Sequence, residues 1–186
     1  MRYEEKEVTL RNGDSVVLRS PRASDAEAML HYLHQTSGET DFLVRYPEEI
    51  EVSPEKLREE EEFLEMMVNS PCNMMIAAFR GDELLGNIGL NCVGERRKIR
   101  HRCSIGIAVV KEAWGIGLGR MLMEAAARSA GELGFEMVEM GVMDGNDSAH
   151  SLYLSMGFQE YGRMPHAFKL ADGSYRDEIL MFRCVK

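Results

Sequence analysis

The strongest chemical signal in the chain is Gly115-Ile116-Gly117-Leu118-Gly119-Arg120, reached through Val109-Val110-Lys111-Glu112-Ala113-Trp114. The segment stands where an alternating apolar run ends and a helical periodicity begins. Glycines at such a junction let the backbone approach a ligand closely and aim several N–H groups outward. The helix start adds a partial positive charge, so the combination suits a phosphate or pyrophosphate. It is not a Walker loop, because no Gly-Lys-Ser/Thr follows. Nor is it the dinucleotide pattern G-x-G-x-x-G, because Arg120 and Leu122 occupy the place of the last glycine. Read alone, the glycines equally describe a tight strand-to-helix turn.

A second motif follows the next strand: Asn146-Asp147-Ser148-Ala149-His150-Ser151-Leu152-Tyr153-Leu154-Ser155-Met156-Gly157-Phe158. Asn146 and Ser148 can satisfy a loop and a helix start, and Gly157 is a natural C-terminal stop. Each residue separately has such a structural explanation. In order, however, the two motifs resemble the GNAT superfamily of acetyltransferases. That family runs strand, R/Q-x-x-G-x-G/A loop, helix, strand, then N-x-x-A-x-x-L-Y-x-x-x-G-F. The chain reads W-G-I-G-L-G for the first and matches the second throughout. Trp114 stands at the usual Arg/Gln position, which weakens one phosphate-side contact and leaves the backbone cradle. The resemblance covers about residues 73–162.

The resemblance implies a fold and a chemistry. The fold is α/β (α+β): a mixed, mostly antiparallel sheet flanked by helices, with a splayed strand pair forming an acyl-CoA cleft. The backbone of Ile107, Ala108 and Val109 would face the pantetheine arm of acetyl-CoA, a co-substrate. The stretch from Trp114 through Gly115, Ile116, Gly117, Leu118 and Gly119 to Arg120 would hold the pyrophosphate. Asn146 would bond the pantetheine amide or order its loop, with Ser148 beside it. Tyr153 would lie near the thioester sulfur and protonate the leaving thiolate; a packed core aromatic is its alternative. The reaction is direct attack by a neutral amine, for which the protein supplies positioning and proton transfers.

The base is harder to place. Many members carry a Glu on the strand before the cradle; here that stretch reads His101-Arg102-Cys103-Ser104. Glu139, His101 and His166 are the remaining candidates, and a water chain anchored by Glu139 is the expectation. Glu139 reads equally as a paired surface carboxylate. By family analogy His166 sits in a loop near the acceptor, although an ordinary exposed histidine is the plainer reading. His31 and His34 share a helix face without a third ligand, so no metal site is assigned. Cys103 reads as a packed thiol and the 14 methionines as core filler.

The elements that position these residues follow from periodicity and punctuation. Residues 8–10 and 16–18 read as strands around the turn Asn12-Gly13-Asp14. Ser24-Asp25 offers an N-cap for a helix to about Gly38, and Ser53-Pro54 opens a second helix with Leu57, Leu64 and Val68 as its apolar stripe. Its run Glu59-Glu60-Glu61-Glu62 reads as a solvated face. Residues 74–79, 84–93 and 103–110 read as strands, the first two joined at Gly81-Asp82. A helix starts at Leu118 and stops at Gly134. Residues 137–143 form a strand, 148–156 a short helix, 158–161 a strand start, and Asp172-Gly173 the turn of a final hairpin.

Composition bounds the rest. The 186 residues fit one domain, 1–186, with 45% hydrophobic and 28% charged residues. A net charge of −9 argues against a nucleic-acid partner. No apolar run approaches the ~18 residues of a membrane span, and the charged N-terminal residues carry no secretory signal, so a cytoplasmic protein is expected. Four scattered cysteines without a C-x-x-C pair fit reduced thiols. The reading is an acetyl-CoA-dependent N-acetyltransferase acting on a small-molecule, peptide or protein amine, with a homodimer compatible. The alternative is a non-catalytic acyl-CoA sensor or scaffold; an oxidoreductase fails on glycine spacing.

Overall fold

The computed structural model describes residues 1–185. Eight strands form one sheet in the order β1-β2-β3-β4-β5-β6-β8-β7. These are β1 (Lys6–Thr9), β2 (Ser15–Arg19), β3 (Met74–Arg80), β4 (Glu83–Cys92), β5 (Arg102–Val109), β6 (Met137–Met143), β7 (Gln159–Lys169) and β8 (Tyr175–Cys184). The helices are α1 (Ala26–Glu39), α2 (Pro54–Asn69), α3 (Leu118–Glu132) and α4 (Asp147–Ser155). Every strand pair is antiparallel except β5–β6, which is parallel and bridged by α3. The expected mixed, mostly antiparallel sheet is therefore present.

Local chemistry sets most boundaries. Gly13 takes φ 93° in the first hairpin, where the Asn12 side chain accepts from the Asp14 N–H. Ser53 Oγ accepts from the Lys56 N–H, and Pro54 occupies the first helical position of α2, as the sequence predicts. The start of α1 differs from expectation. A 3₁₀ turn over Ala23–Asp25 precedes the helix, and the Asp25 carboxylate is drawn away from capping it. It accepts from the Arg22 N–H at 2.6 Å and forms two bonds to Arg19, at 2.6 and 2.9 Å. Both side chains of the pair are 14% exposed, and the Arg19 guanidinium also lies 3.8 Å over Phe79.

Alternation along β4 assigns the layers. Asn87 meets Tyr32 and Met29 of α1, whereas Gly86 lies under Leu122 of α3, so α1 and α3 cover opposite faces. Ile76, Ile88, Leu90, Leu118 and Leu122 are fully buried in the core on the α3 side. Leu64 and Met67 seat α2 beside α1, with Leu57 and Val68 half-buried. The fold also joins two cysteines that are distant in sequence: Cys72 and Cys92 place their thiols 2.7 Å apart.

The parallel β5–β6 ladder is short. It pairs Arg102 with Met137, Cys103 with Val138 and Ser104 with Glu139. Beyond Ser104, β5 continues to Val109 with no partner on β6, while β6 stays paired to β8 through Met143. A cavity of about 830 Å³ opens at this separation.

Candidate functional site

One wall of the cavity is the free edge of β5. The Val110 N–H donates to the Leu85 carbonyl, so by antiparallel alternation Ala108 turns its amide toward β4. Ile107 and Val109 then direct theirs toward the opening. The Tyr32 hydroxyl occupies the Asn87–Ala108 rung: it donates to the Ala108 carbonyl at 2.7 Å and accepts from the Asn87 N–H at 3.2 Å. Ile107, Ala108 and Val109 all line the cavity, but the Ala108 carbonyl is already engaged.

After β5, a 3₁₀ turn over Lys111–Ala113 leads to Trp114, whose indole N–H donates to the Val109 carbonyl at 2.8 Å. This bond fastens the glycine segment to the end of the strand. Gly115 and Gly117 adopt φ 75° and 95°, left-handed values that any other residue would resist. With Gly117 as the cap of α3, the first-turn amides of the helix point out of it. Among the described residues, no protein acceptor takes the N–H of any residue from 115 to 120. Trp114, Gly115, Gly117, Gly119 and Arg120 line the cavity. Ile116 and Leu118, expected in the cradle, do not line the cavity: the Ile116 carbonyl accepts from the Arg11 N–H at 3.0 Å, and the Leu118 side chain is fully buried.

That Arg11 contact is absent from the sequence reading. The β1–β2 turn brings the Arg11 side chain within about 3.4 Å of the point where a Gly117 Cβ would stand, and Arg11 lines the cavity. It adds a cation at the cradle whose Arg/Gln position holds Trp114. Arg120, the other local cation, donates to Ser155 Oγ at 2.7 Å. Arg11 and Tyr32 each reach the site across long sequence separations, which no local motif encodes.

The facing wall holds α4. Asn146 Oδ1 accepts from the Ala149 N–H at 3.3 Å, so its side chain caps α4 and orders the loop; Asn146 and Ser148 line the cavity. Tyr153 is 6% exposed, packs against Phe158 and also lines the cavity. Among the described residues its hydroxyl has no hydrogen-bond partner, yet the oxygen is not sealed from solvent. Burial pushes the phenol up to about 12, so it keeps its proton at neutral pH and has one to donate.

Glu139 lies apart. It makes two bonds to Arg102, one of them Nη2 to Oε2 at 2.7 Å, and does not line the cavity. Of its two sequence readings, the geometry matches the paired carboxylate. His166 lies within β7 at an irregularity between Met164 and Phe168, with φ 55°, rather than in a separate loop. Its N–H donates to Asp177 and its ring stacks on Tyr175. His31 and His34 are exposed on α1. Among the described residues no three His, Cys, Asp or Glu side chains converge as metal ligands. No helix among the described residues is long and apolar enough to cross a membrane.

The unpaired amides, the open strand edge and the added cation fit acetyl-CoA: anionic phosphates at the helix start and an extended amide-bearing arm along β5. Comparison with known proteins agrees. Residues 38–158 match the Acetyltransferase (GNAT) family. An acetyltransferase of the GNAT family from Streptococcus pneumoniae superposes with a TM-score of 0.83 at 26% identity, covering 91% of this chain and 99% of that one. A ribosomal-protein-alanine N-acetyltransferase from Brucella melitensis gives 0.77 at 21% identity, covering 90% and 98%. The putative acetyltransferase yncA from Salmonella typhimurium, solved with acetyl-CoA, gives 0.74 at 16% identity, covering 92% and 94%. No curated protein matches the sequence.

Proposed function

Because the chain belongs to the GNAT acetyltransferase family, we propose that it transfers the acetyl group of acetyl-CoA to a primary amine, with the cradle at residues 115–120 as its phosphate site. One observation carries this reading: Gly115, Gly117, Gly119 and Arg120, whose amides have no partner among the described residues, line the same cavity as Tyr153, whose hydroxyl likewise has none. When bound, acetyl-CoA supplies an activated acyl group. The protein supplies the rest.

Gly115, Gly117 and Gly119 leave room for oxyanions against the backbone, and Arg11 adds charge beside them. Ile107 and Val109 offer amides along the free edge to align an extended arm. Trp114 holds the end of that edge in place, and Asn146 keeps the α4 start rigid, with Ser148 beside it. Tyr153 donates its proton to the departing sulfur, for which a protonated phenol in a half-dry cavity is well suited. Holding both reactants in one cavity provides much of the acceleration by itself.

The acceptor class is tested by following release of the CoA thiol with a panel of amines: n-butylamine, a polyamine, an aminoglycoside and a peptide with a free N-terminus. Saturable release with at least one amine and a mass gain of one acetyl group on that amine is the expected result. Binding of acetyl-CoA without release to any amine would overturn the transferase reading.

A further inference from the structure

The amine must lose a proton before it attacks, since an alkyl ammonium near pKa 10 is almost wholly charged at pH 7. Glu139 is held by Arg102. A different carboxylate stands two residues further along the same face of β6. Val138, Met140 and Val142 turn into the core, so Glu139 and Gly141 share the opposite face. Gly141 lines the cavity just past the last β5–β6 rung. A Cβ there would fall 1.8 Å from Glu178 Oε1 and 2.5 Å from the Glu178 carboxyl carbon. The missing side chain of Gly141 is thus the seat of the Glu178 carboxylate, which reaches over from β8.

Glu178 pairs in register with Met143, another cavity residue. Among the described residues its carboxylate has neither a hydrogen-bond nor an ion-pair partner, and neither oxygen is sealed from solvent. Several charged groups of the surrounding strands are committed elsewhere. Arg102 of β5 holds Glu139 of β6; Arg163 of β7 bonds Asp177 of β8 and Asp144 after β6; and the His166 N–H bonds Asp177. Arg176 of β8 lies against Gly145, and the connection between α1 and α2 brings Arg45 to the cavity. Glu178 does not itself line the cavity, but its half-buried carboxylate lies over Gly141, which does, and without a partner among the described residues it is placed to receive a cation at that wall.

We propose that Glu178 binds the acceptor ammonium and removes its proton. This rests on the transferase reading above. The proton passes from nitrogen to a Glu178 oxygen and then to solvent. The freed lone pair forms the N–C bond to the thioester carbonyl carbon as the C–S bond breaks. Tyr153 gives its proton to the sulfur, and the second proton leaving nitrogen restores the phenol. One proton is released overall.

The test uses the whole chain, acetyl-CoA and n-butylamine, or whichever amine of the panel turns over. Glu178→Gln should lower kcat/KM about 10²- to 10⁴-fold at pH 7, the range for a lost general base. The residual rate should climb about tenfold per pH unit from 6 to 9, as solvent generates the free amine. Acetyl-CoA affinity should not change. Gly141→Ala, whose new Cβ displaces the carboxylate, should lower the rate in the same way, and formate should restore part of the rate of Glu178→Ala. In the absence of acetyl-CoA, calorimetry should detect n-butylammonium binding that Glu178→Gln loses. A Gln variant with the parent's rate and pH profile overturns the proposal for Glu178 alone, as does one that loses acetyl-CoA affinity along with its rate. A parent that binds acetyl-CoA but acetylates no amine overturns the transferase reading beneath it.

Discussion

The wall built from β5, the glycine segment and the start of α3 presents backbone to the cavity; the wall built from β6 carries a glycine over which β8 lays a carboxylate. The first uses amides that the helix and the free strand edge leave without partners. The second uses Glu178, held over Gly141 by the pairing of two strands nearly forty residues apart in sequence. Backbone donors suit a ligand whose charged and amide groups are invariant. Side chains suit an acceptor that differs from protein to protein. The comparison therefore predicts two separable sets of effects: one on acetyl-CoA affinity, one on turnover.

After Glu178, the largest expected effect comes from the boundary between them. Tyr153→Phe retains the buried ring and removes the donor, so kcat should fall about 10- to 10³-fold while Kd for acetyl-CoA stays within about twofold. Unchanged kcat in steady-state assays would assign the residue to packing. Next is the backbone wall itself. Gly117→Val forces a branched residue into φ 95°, a strain of about 1–3 kcal/mol. Relieving it misaligns the cradle, and calorimetry should show Kd weakened roughly 5- to 100-fold. Equal affinity would place the phosphates elsewhere.

Arg11→Ala should act on the same wall more weakly. Loss of one partly exposed cation should raise Kd about three- to tenfold at low salt, and the gap should narrow as ionic strength rises. A salt-independent gap would make Arg11 a packing residue for the loop. The smallest kinetic effect belongs to a pair remote from both walls. Burial alone would raise the Asp25 carboxyl, but the Arg19 bonds and the Arg22 N–H outweigh it and hold it below the ordinary value. Its contribution is then present above the unfolded carboxylate pKa of about 3.9 and lost as pH falls through the lower folded value. Asp25→Asn should cost about 1.5–3 kcal/mol in urea unfolding at pH 7. The gap should close toward pH 2, with kcat and Kd unaltered at pH 7.

The same division explains what the sequence disclosed. The cradle and the α4 segment are contiguous, so the resemblance to the family's motifs points to Gly115, Gly117, Gly119, Asn146 and Tyr153, and the structure lines one cavity with all five. Strands β3 to β6 are legible because a sheet covered on both faces demands short apolar runs, and turn residues such as Gly81-Asp82 bound them. The Asp25 cap was misjudged because Arg19, from another strand, competes for the carboxylate. The structure puts His166 in β7 and not in a loop, exposed as its plainer reading has it, because a register shift within the strand leaves no mark in local composition. Tyr32 on Ala108, Arg11 at Gly117 and Glu178 over Gly141 are products of tertiary pairing. A glycine such as Gly141 reads in sequence only as a weak strand residue; its use as a seat for another strand's carboxylate becomes visible once the register is known.

The central claim is that the free amides of residues 115–120 hold the phosphates of acetyl-CoA. A calorimetric titration comparing acetyl-CoA with S-acetylpantetheine, which has the same acyl arm and no pyrophosphate, tests it most directly. One-to-one binding of acetyl-CoA well below about 1 mM is expected, with binding of the truncated compound at least about tenfold weaker, a difference of about 1.4 kcal/mol or more. Equal affinity for the two, or no binding of acetyl-CoA at millimolar concentration, would contradict it.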